Sequence, residues 1–315
     1  MQLINMYLIY PFIAVAVIGF IVNLYCSLYF AFIIRISGPF SVLASFFLAA
    51  NCLVLIPNLF VVPVMQFQLF SIPTFVNQRL GQIALIGYYA GYLTRFLLAI
   101  NRYVAIHYYS KYGYYFSSKN VCTGIVVTSL ISILMVSPAS VSTVCSFEFD
   151  GLIWDYSDTP VCDVMSLAFD FWLGVTFALL IFSSDILLIL RYMYIRKQGT
   201  LSMIPTTNSN NLKMELRIFF QAFLSNLYLV LMLVCFHVLE KMYATTPDTK
   251  FLLNTFLWIS YHTFDGIFIG MFHNDVIKHL KSFVSQFNSY EMTQLINRNH
   301  FCQLYSAIYS SKRRI

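Results

Sequence analysis

Five polar residues interrupt long apolar runs: Asn23, Asn51, Arg95, Asp185 and Asp265. In a hydrocarbon surrounding, an ionisable group costs at least about 2.5–3.5 kcal/mol unless it finds a partner or water. The chemistry open to such a set is therefore mutual pairing. Arg95 precedes Arg102 by two helical turns on one face, about 10 Å deeper at 1.5 Å per residue. Asp185 lies a similar distance before Arg191, and Asp265 before His273. Both acids match Arg95 in depth, so Arg95 is expected to pair with Asp265 or with Asp185. That contact is either part of a switch or a static ion pair. Asn23 and Asn51 are expected to hydrogen-bond the first two helices together, with a share in a hydrated network reaching Asp265.

Other chemistry fits poorly. Two intramembrane Asp invite comparison with an aspartyl protease, which expects Gly-x-Gly-Asp; here the neighbours are Ser184-Asp185-Ile186 and Phe264-Asp265-Gly266. No two His stand four apart on one span, so no metal site is expected, nor any cofactor or enzyme activity. Net charge is +6, but the charges fall in gaps rather than dense patches, which argues against a nucleic-acid partner.

The elements that must position these residues follow from composition. The chain has 315 residues, 59% hydrophobic and 10% charged, with a mean hydropathy of +0.72. A soluble domain carries about 25% charged residues, so lipid is the expected surrounding. A spanning helix needs about 20 mostly apolar residues. Seven stretches qualify: Leu8–Ile34, Phe40–Met65, Leu80–His107, Val121–Val141, Val164–Leu190, Arg217–Leu239 and Phe251–Phe272. Arg79, Lys241 and Lys250 lie on one side of these spans, Arg95 lies within one, and all other Lys and Arg lie on the opposite side. The positive-inside rule then predicts an all-α, seven-helix bundle with its N-terminus outside and its C-terminus cytosolic. Residues 1–273 form the bundle and 274–288 an amphipathic helix on the membrane surface, with Val276, Ile277, Leu280, Phe283, Val284 and Phe287 facing one way. Residues 289–315 form a flexible basic tail. The first helix lacks a signal peptide's basic start and is expected to act as an uncleaved anchor. Glu148, Asp150, Asp155, Asp158 and Asp163 make the connection between helices four and five a polar, acidic lid, or simply a solvated loop.

The third span ends in Ala99-Ile100-Asn101-Arg102-Tyr103-Val104-Ala105-Ile106-His107. This resembles the rhodopsin-like G-protein-coupled receptors, with Asn101 in place of the usual acid. The residue-level alternative is an Arg snorkelling to water. A closer resemblance covers most of the chain: the nematode serpentine chemoreceptors of class x (Srx). It rests on Gly19-Phe20-Ile21-Val22-Asn23, on the 101–106 run, on Cys145, Trp154 and Cys162, and on Glu215-Leu216-Arg217-Ile218-Phe219-Phe220-Gln221. The resemblance implies an olfactory-type receptor in the plasma membrane of sensory neurons, on their cilia, that binds a small-molecule odorant and activates a heterotrimeric G protein. Asn101, Arg102 and Tyr103 would couple and switch: Arg102 would hold the resting bundle through polar contacts and then meet the G protein when helix six swings out. The chain departs from the rhodopsin-like pattern in three places. Asp265-Gly266-Ile267-Phe268-Ile269 replaces Asn/Asp-Pro-x-x-Tyr, with Gly266 able to loosen the helix as Pro would. Helices five and six contain no Pro, and no Cys stands near Arg79–Gln82. The hinge of helix six is therefore expected to differ.

Cys145 and Cys162 fall outside the spans on the oxidising side. They form either a disulfide, worth about 3 kcal/mol by loop closure, or two free thiols. A ligand would sit between the outer halves of helices three, five, six and seven, where Tyr88, Tyr92, Asp170, Trp172, Trp258 and Tyr261 are candidates. Aromatics make up 18% of the chain, so packing or lipid-facing roles compete for each. Asp170 would meet a cationic ligand or face water. A small-molecule transporter or channel is the competing function; the absence of an internal repeat speaks against it.

Overall fold

A computed structural model describes residues 4–33, 38–140, 144–197, 209–273, 275–282 and 285. Six helices are long and apolar enough to cross a membrane: α1 (Met6–Ile33), α2 (Pro39–Gln66), α3 (Thr74–His107), α4 (Ser118–Ser140), α5 (Pro160–Arg191) and α6 (Phe219–Tyr243). The seventh helix, α7, runs without a break through Pro247–Phe251, Leu252–Phe256 and Leu257–Phe272. It is less apolar because it carries Asn254, Thr255, Ser260, His262, Thr263 and Asp265, all buried inside the bundle. Helix α6 begins earlier than its apolar stretch, at Ser209, and α5 continues to Lys197.

Local signals start the helices. The Asn5 side chain accepts the Tyr7 amide at the head of α1, and Ser117 accepts the Asn120 amide at α4. Pro39, Pro160 and Pro247 each occupy the first turn of their helices, where a missing N–H costs nothing. Thr246 and Thr249 close a reciprocal capping box on α7. Helices α2 and α3 are mostly buried, whereas α4 turns Val126, Leu130, Ile133 and Leu134 outward. A belt of exposed aliphatic residues of this kind is stable only against lipid.

The described residues also contain a β-hairpin in the connection between α4 and α5, an addition to the all-α expectation. Strand β1 (Phe147–Phe149) pairs antiparallel with β2 (Trp154–Tyr156). Alternation sends Phe147, Phe149, Trp154 and Tyr156 into the bundle, while Asp155 faces out. Gly151 makes the turn at φ 99°, a conformation open to glycine. This connection is therefore not the solvated acidic loop that its charges suggest. Its aromatic face is part of the core.

Met1–Phe272 forms one compact unit and His273–Ile315 a second. Within the second, residues 275–282 are helical, with an exposed Asp275–Lys278 pair at 3.7 Å. The proposed tail, 289–315, and the apolar positions Phe283, Val284 and Phe287 lie outside the described residues.

Candidate functional site

Arg95 and Asp265 meet in the middle of the bundle. The guanidinium of Arg95 on α3 donates to the carboxylate of Asp265 on α7 and, at 3.1 Å, to the Ser225 carbonyl on α6. It also lies between two rings, 5.2 Å from the centroids of both Phe47 and Tyr261. Side-chain exposure of the pair is 8% and 1%. In so dry a place the ion pair is stable because every group has a partner, and removing either partner costs about 3–5 kcal/mol. One site thus joins α2, α3, α6 and α7.

Asp185 does not take Arg95. It stands one stage along the bundle, 3.1 Å from the Arg102 guanidinium, with side-chain exposures of 12% for Arg102 and 2% for Asp185. Two arginines on one face of α3 therefore have separate acids, Asp265 on α7 and Asp185 on α5. A small cavity lies between the pairs, lined by Arg95, Arg102, Ile181, Gln221 and Ser225 among others. Asn101, in place of the usual acid, turns away and donates to the Tyr112 hydroxyl at 3.0 Å, in a short helix (Tyr112–Tyr115) between α3 and α4. Tyr103 stacks on His107 with centroids 4.2 Å apart.

The asparagines join three helices rather than two. Asn51 donates to Asn23 at 3.1 Å, and Asn51 Oδ1 lies 2.8 Å from His262 Nδ1 on α7. Because Asn51 Oδ1 can only accept, His262 carries its proton on Nδ1. Asn23 also donates to the His262 carbonyl at 3.1 Å. Gly266 serves this junction. A Cβ there would stand 2.6 Å from the Asn23 amide, and Gly19 is as tightly closed by Thr263. Helix α7 is regular α-helix through Gly266, so this glycine does not loosen the helix as a Pro would; it admits Asn23. Widened, π-type turns occur elsewhere, at Met165–Trp172 in α5, Cys235–Leu239 in α6 and Leu252–Phe256 in α7.

The hairpin closes the end of the bundle near these turns. Asn77 on α3 clasps the Phe149 backbone, donating to its carbonyl at 2.8 Å and accepting its amide at 3.2 Å. Trp154 donates its indole N–H to Asn58 at 2.8 Å, and Gln66 donates to the Gly151 carbonyl. Gly81 lets the Phe147 carbonyl lie against α3. Cys145 and Cys162 are joined by a disulfide with Cα atoms 5.3 Å apart. The bridge ties the hairpin to the start of α5, and polar contacts tie it to α3, where no Cys stands.

Beneath the hairpin is a cavity of about 20 Å³, lined by Leu85, Tyr88, Phe147, Asp170, Met232, Leu233, Phe236, His237 and Trp258. Of the six pocket candidates, Tyr88, Asp170 and Trp258 line it. Tyr92 packs behind, its hydroxyl donating to the Phe169 carbonyl at 3.2 Å, and Tyr261 belongs to the Arg95 site. Trp172 is 58% exposed and turned away from the cavity. Asp170 does not face water: it is buried and accepts from the hydroxyls of Tyr89 and, at 2.8 Å, Tyr156. Sequence reasoning missed Asn58, Asn77, Tyr156 and His262. A polar residue inside or flanking an apolar span was the available signal for Asn58, Asn77 and His262; among so many aromatics nothing marked Tyr156.

The family described as serpentine type 7TM GPCR chemoreceptor Srx matches residues 13–273. The chain is similar to "Serpentine receptor class X 45" of Caenorhabditis elegans, 23% identical over 288 residues, covering 83% of this chain and 78% of that protein. The match runs from α1 to the end of α7 and takes in both ion pairs, the asparagine junction and the hairpin. The chain belongs to the Srx family of seven-transmembrane serpentine chemoreceptors.

Proposed function

We propose that this multi-pass membrane protein is a chemosensory receptor of the plasma membrane, with the hairpin outside and the Arg102 end in the cytosol. A small molecule binds under the hairpin, and the Arg102 end activates a heterotrimeric G protein. In a sensory neuron its place is the cilium. The observation that carries the reading is the Arg102–Asp185 contact. It holds the exit of α3 to α5 and borders a cavity reaching Gln221, Ala222 and Ser225 of α6. Parting this pair removes one hold on a cationic side chain at the face where a G protein docks. The distribution of Lys and Arg supports the orientation. With no Pro in α6 and none in α5 beyond its first turn, the widened turn at Cys235–Leu239 is where α6 has slack to move.

The test is a calcium or cAMP readout in cells expressing the chain, challenged with an odorant panel. At least one compound is expected to give a response that Arg102→Ala abolishes at equal surface expression. A response unchanged in Arg102→Ala and in cells depleted of G protein refutes the reading. Substrate flux in proteoliposomes lacking any G protein would show a transporter or channel instead.

A further inference from the structure

Three carboxylates are buried deeply in the spans: Asp170, Asp185 and Asp265, at 5%, 1% and 1% exposure. Asp265 has Arg95 and Asp185 has Arg102. No ion pair reaches Asp170 among the described residues. Its two carboxylate oxygens are instead oriented by the phenols of Tyr89 and Tyr156, one from α3 and one from β2. Phenol donors stabilise a carboxylate, but they bring no opposite charge to it. The same carboxyl lines the cavity under the hairpin.

The rest of the wall suits one kind of counter-ion. Tyr88, Phe147, Phe236 and Trp258 contribute rings. Tyr88 and Phe147 both meet Trp258 edge to face, with centroids 6.3 and 6.0 Å away. Ring faces around an acid attract an organic ammonium in preference to a hydrated metal ion or a neutral molecule. The space is small, room for about one water. A ligand must therefore be compact, and Met232, an adaptable side chain, yields to admit it.

We infer that Asp170 is the anchor of a site for small primary alkylamines in their ammonium form, enclosed by α3, α5, α6, α7 and β1. The inference rests on the receptor reading for the location of its ligand site and adds the ligand's chemical class. The ammonium N–H groups take the carboxylate lone pairs that Tyr89 and Tyr156 leave free, and the alkyl group lies against Leu85, Leu233 and Trp258. No proton leaves the ligand. Phe147 of the hairpin is a wall of the site, which sets the bound amine against the disulfide-tied loop.

The test uses the purified full chain in lipid nanodiscs, titrated by calorimetry with primary amines from ethylamine to isoamylamine and with the matching alcohols. At least one amine is expected to bind, its isosteric alcohol at least about 10-fold more weakly. Asp170→Asn, confirmed as folded by its thermal melt, is expected to weaken that amine by about 30-fold or more, the loss of a charged hydrogen bond. Phe236→Ala, which widens the cavity, shifts the optimum to longer amines and keeps the test valid should Asp170→Asn fail to fold. Absence of amine binding, equal binding of amines and alcohols, full amine affinity in folded Asp170→Asn, or an unchanged optimum in Phe236→Ala would each overturn the inference. Because no G protein is present, its failure is separable from that of the receptor reading. Amine binding without any cellular response counts against signalling alone, and an odorant response without amine binding counts against the amine site alone.

Discussion

Arg95 is the residue on which the largest single effect is expected. Its charge is enclosed by Asp265, the Ser225 carbonyl and two rings. Arg95→Leu leaves Asp265 buried without a cation, at a cost of about 3–5 kcal/mol. Surface expression and thermal stability in detergent should fall accordingly. Adding Asp265→Leu removes the orphaned charge and should restore part of the stability, since a buried pair replaced by apolar groups is often neutral. Full expression and signalling in Arg95→Leu alone would contradict this account. Asp185→Asn tests the second pair separately. It weakens the hold on Arg102 at one end of α3, and raised basal signalling is the expected result, read by cAMP in the absence of odorant.

At the scale of elements, the close approach of α1 and α7 depends on glycine. Gly266→Ala puts a Cβ against the Asn23 amide, and overpacking of this kind costs about 1–3 kcal/mol. Combining it with Asn23→Ala frees the space, so the double variant should melt above Gly266→Ala alone. A double variant no better than the single would mean the contact is not the cause. The hairpin is held by two devices of different kinds. Asn77→Ala leaves the Phe149 amide and carbonyl without their side-chain partner, worth about 1–3 kcal/mol. Cys145→Ser with Cys162→Ser removes a loop constraint of about 3 kcal/mol. Each should lower the melting temperature, and limited proteolysis should then cut first between β1 and β2. Span positions and their polar interruptions were legible because lipid allows so few charges. The hairpin was not: its acids gave a loop signal, and a three-residue alternation of aromatics is too short to stand out in a chain so rich in them.

Within Met1–Phe272, four buried polar groups succeed one another between the hairpin and the far end of α3. The cavity with Asp170 is nearest the hairpin, followed by the Asn23–Asn51–His262 junction, the Arg95–Asp265 pair and the Arg102–Asp185 pair. Helix α3 contributes to three of these four, through Tyr88 and Tyr89, Arg95 and Arg102. The topology itself makes a simple prediction. An epitope tag at the C-terminus should be stained only after permeabilisation, and a tag inserted between β1 and β2 should be stained on intact cells. The reverse pattern would invert every assignment of outside and inside.

The sequence by itself determined the seven spans and which residues lie too deep to stay alone. Those follow from solvation, which acts on each residue where it stands in the chain. The tertiary structure decided the partners. The sequence set both acids at the depth of Arg95, but α5 carries Asp185 one stage along the bundle to Arg102, while α7 brings Asp265 to Arg95. The same packing turned Trp172 outward, gave Tyr261 to the arginine, and left Asp170 as the one deeply buried acid without a cation among the described residues.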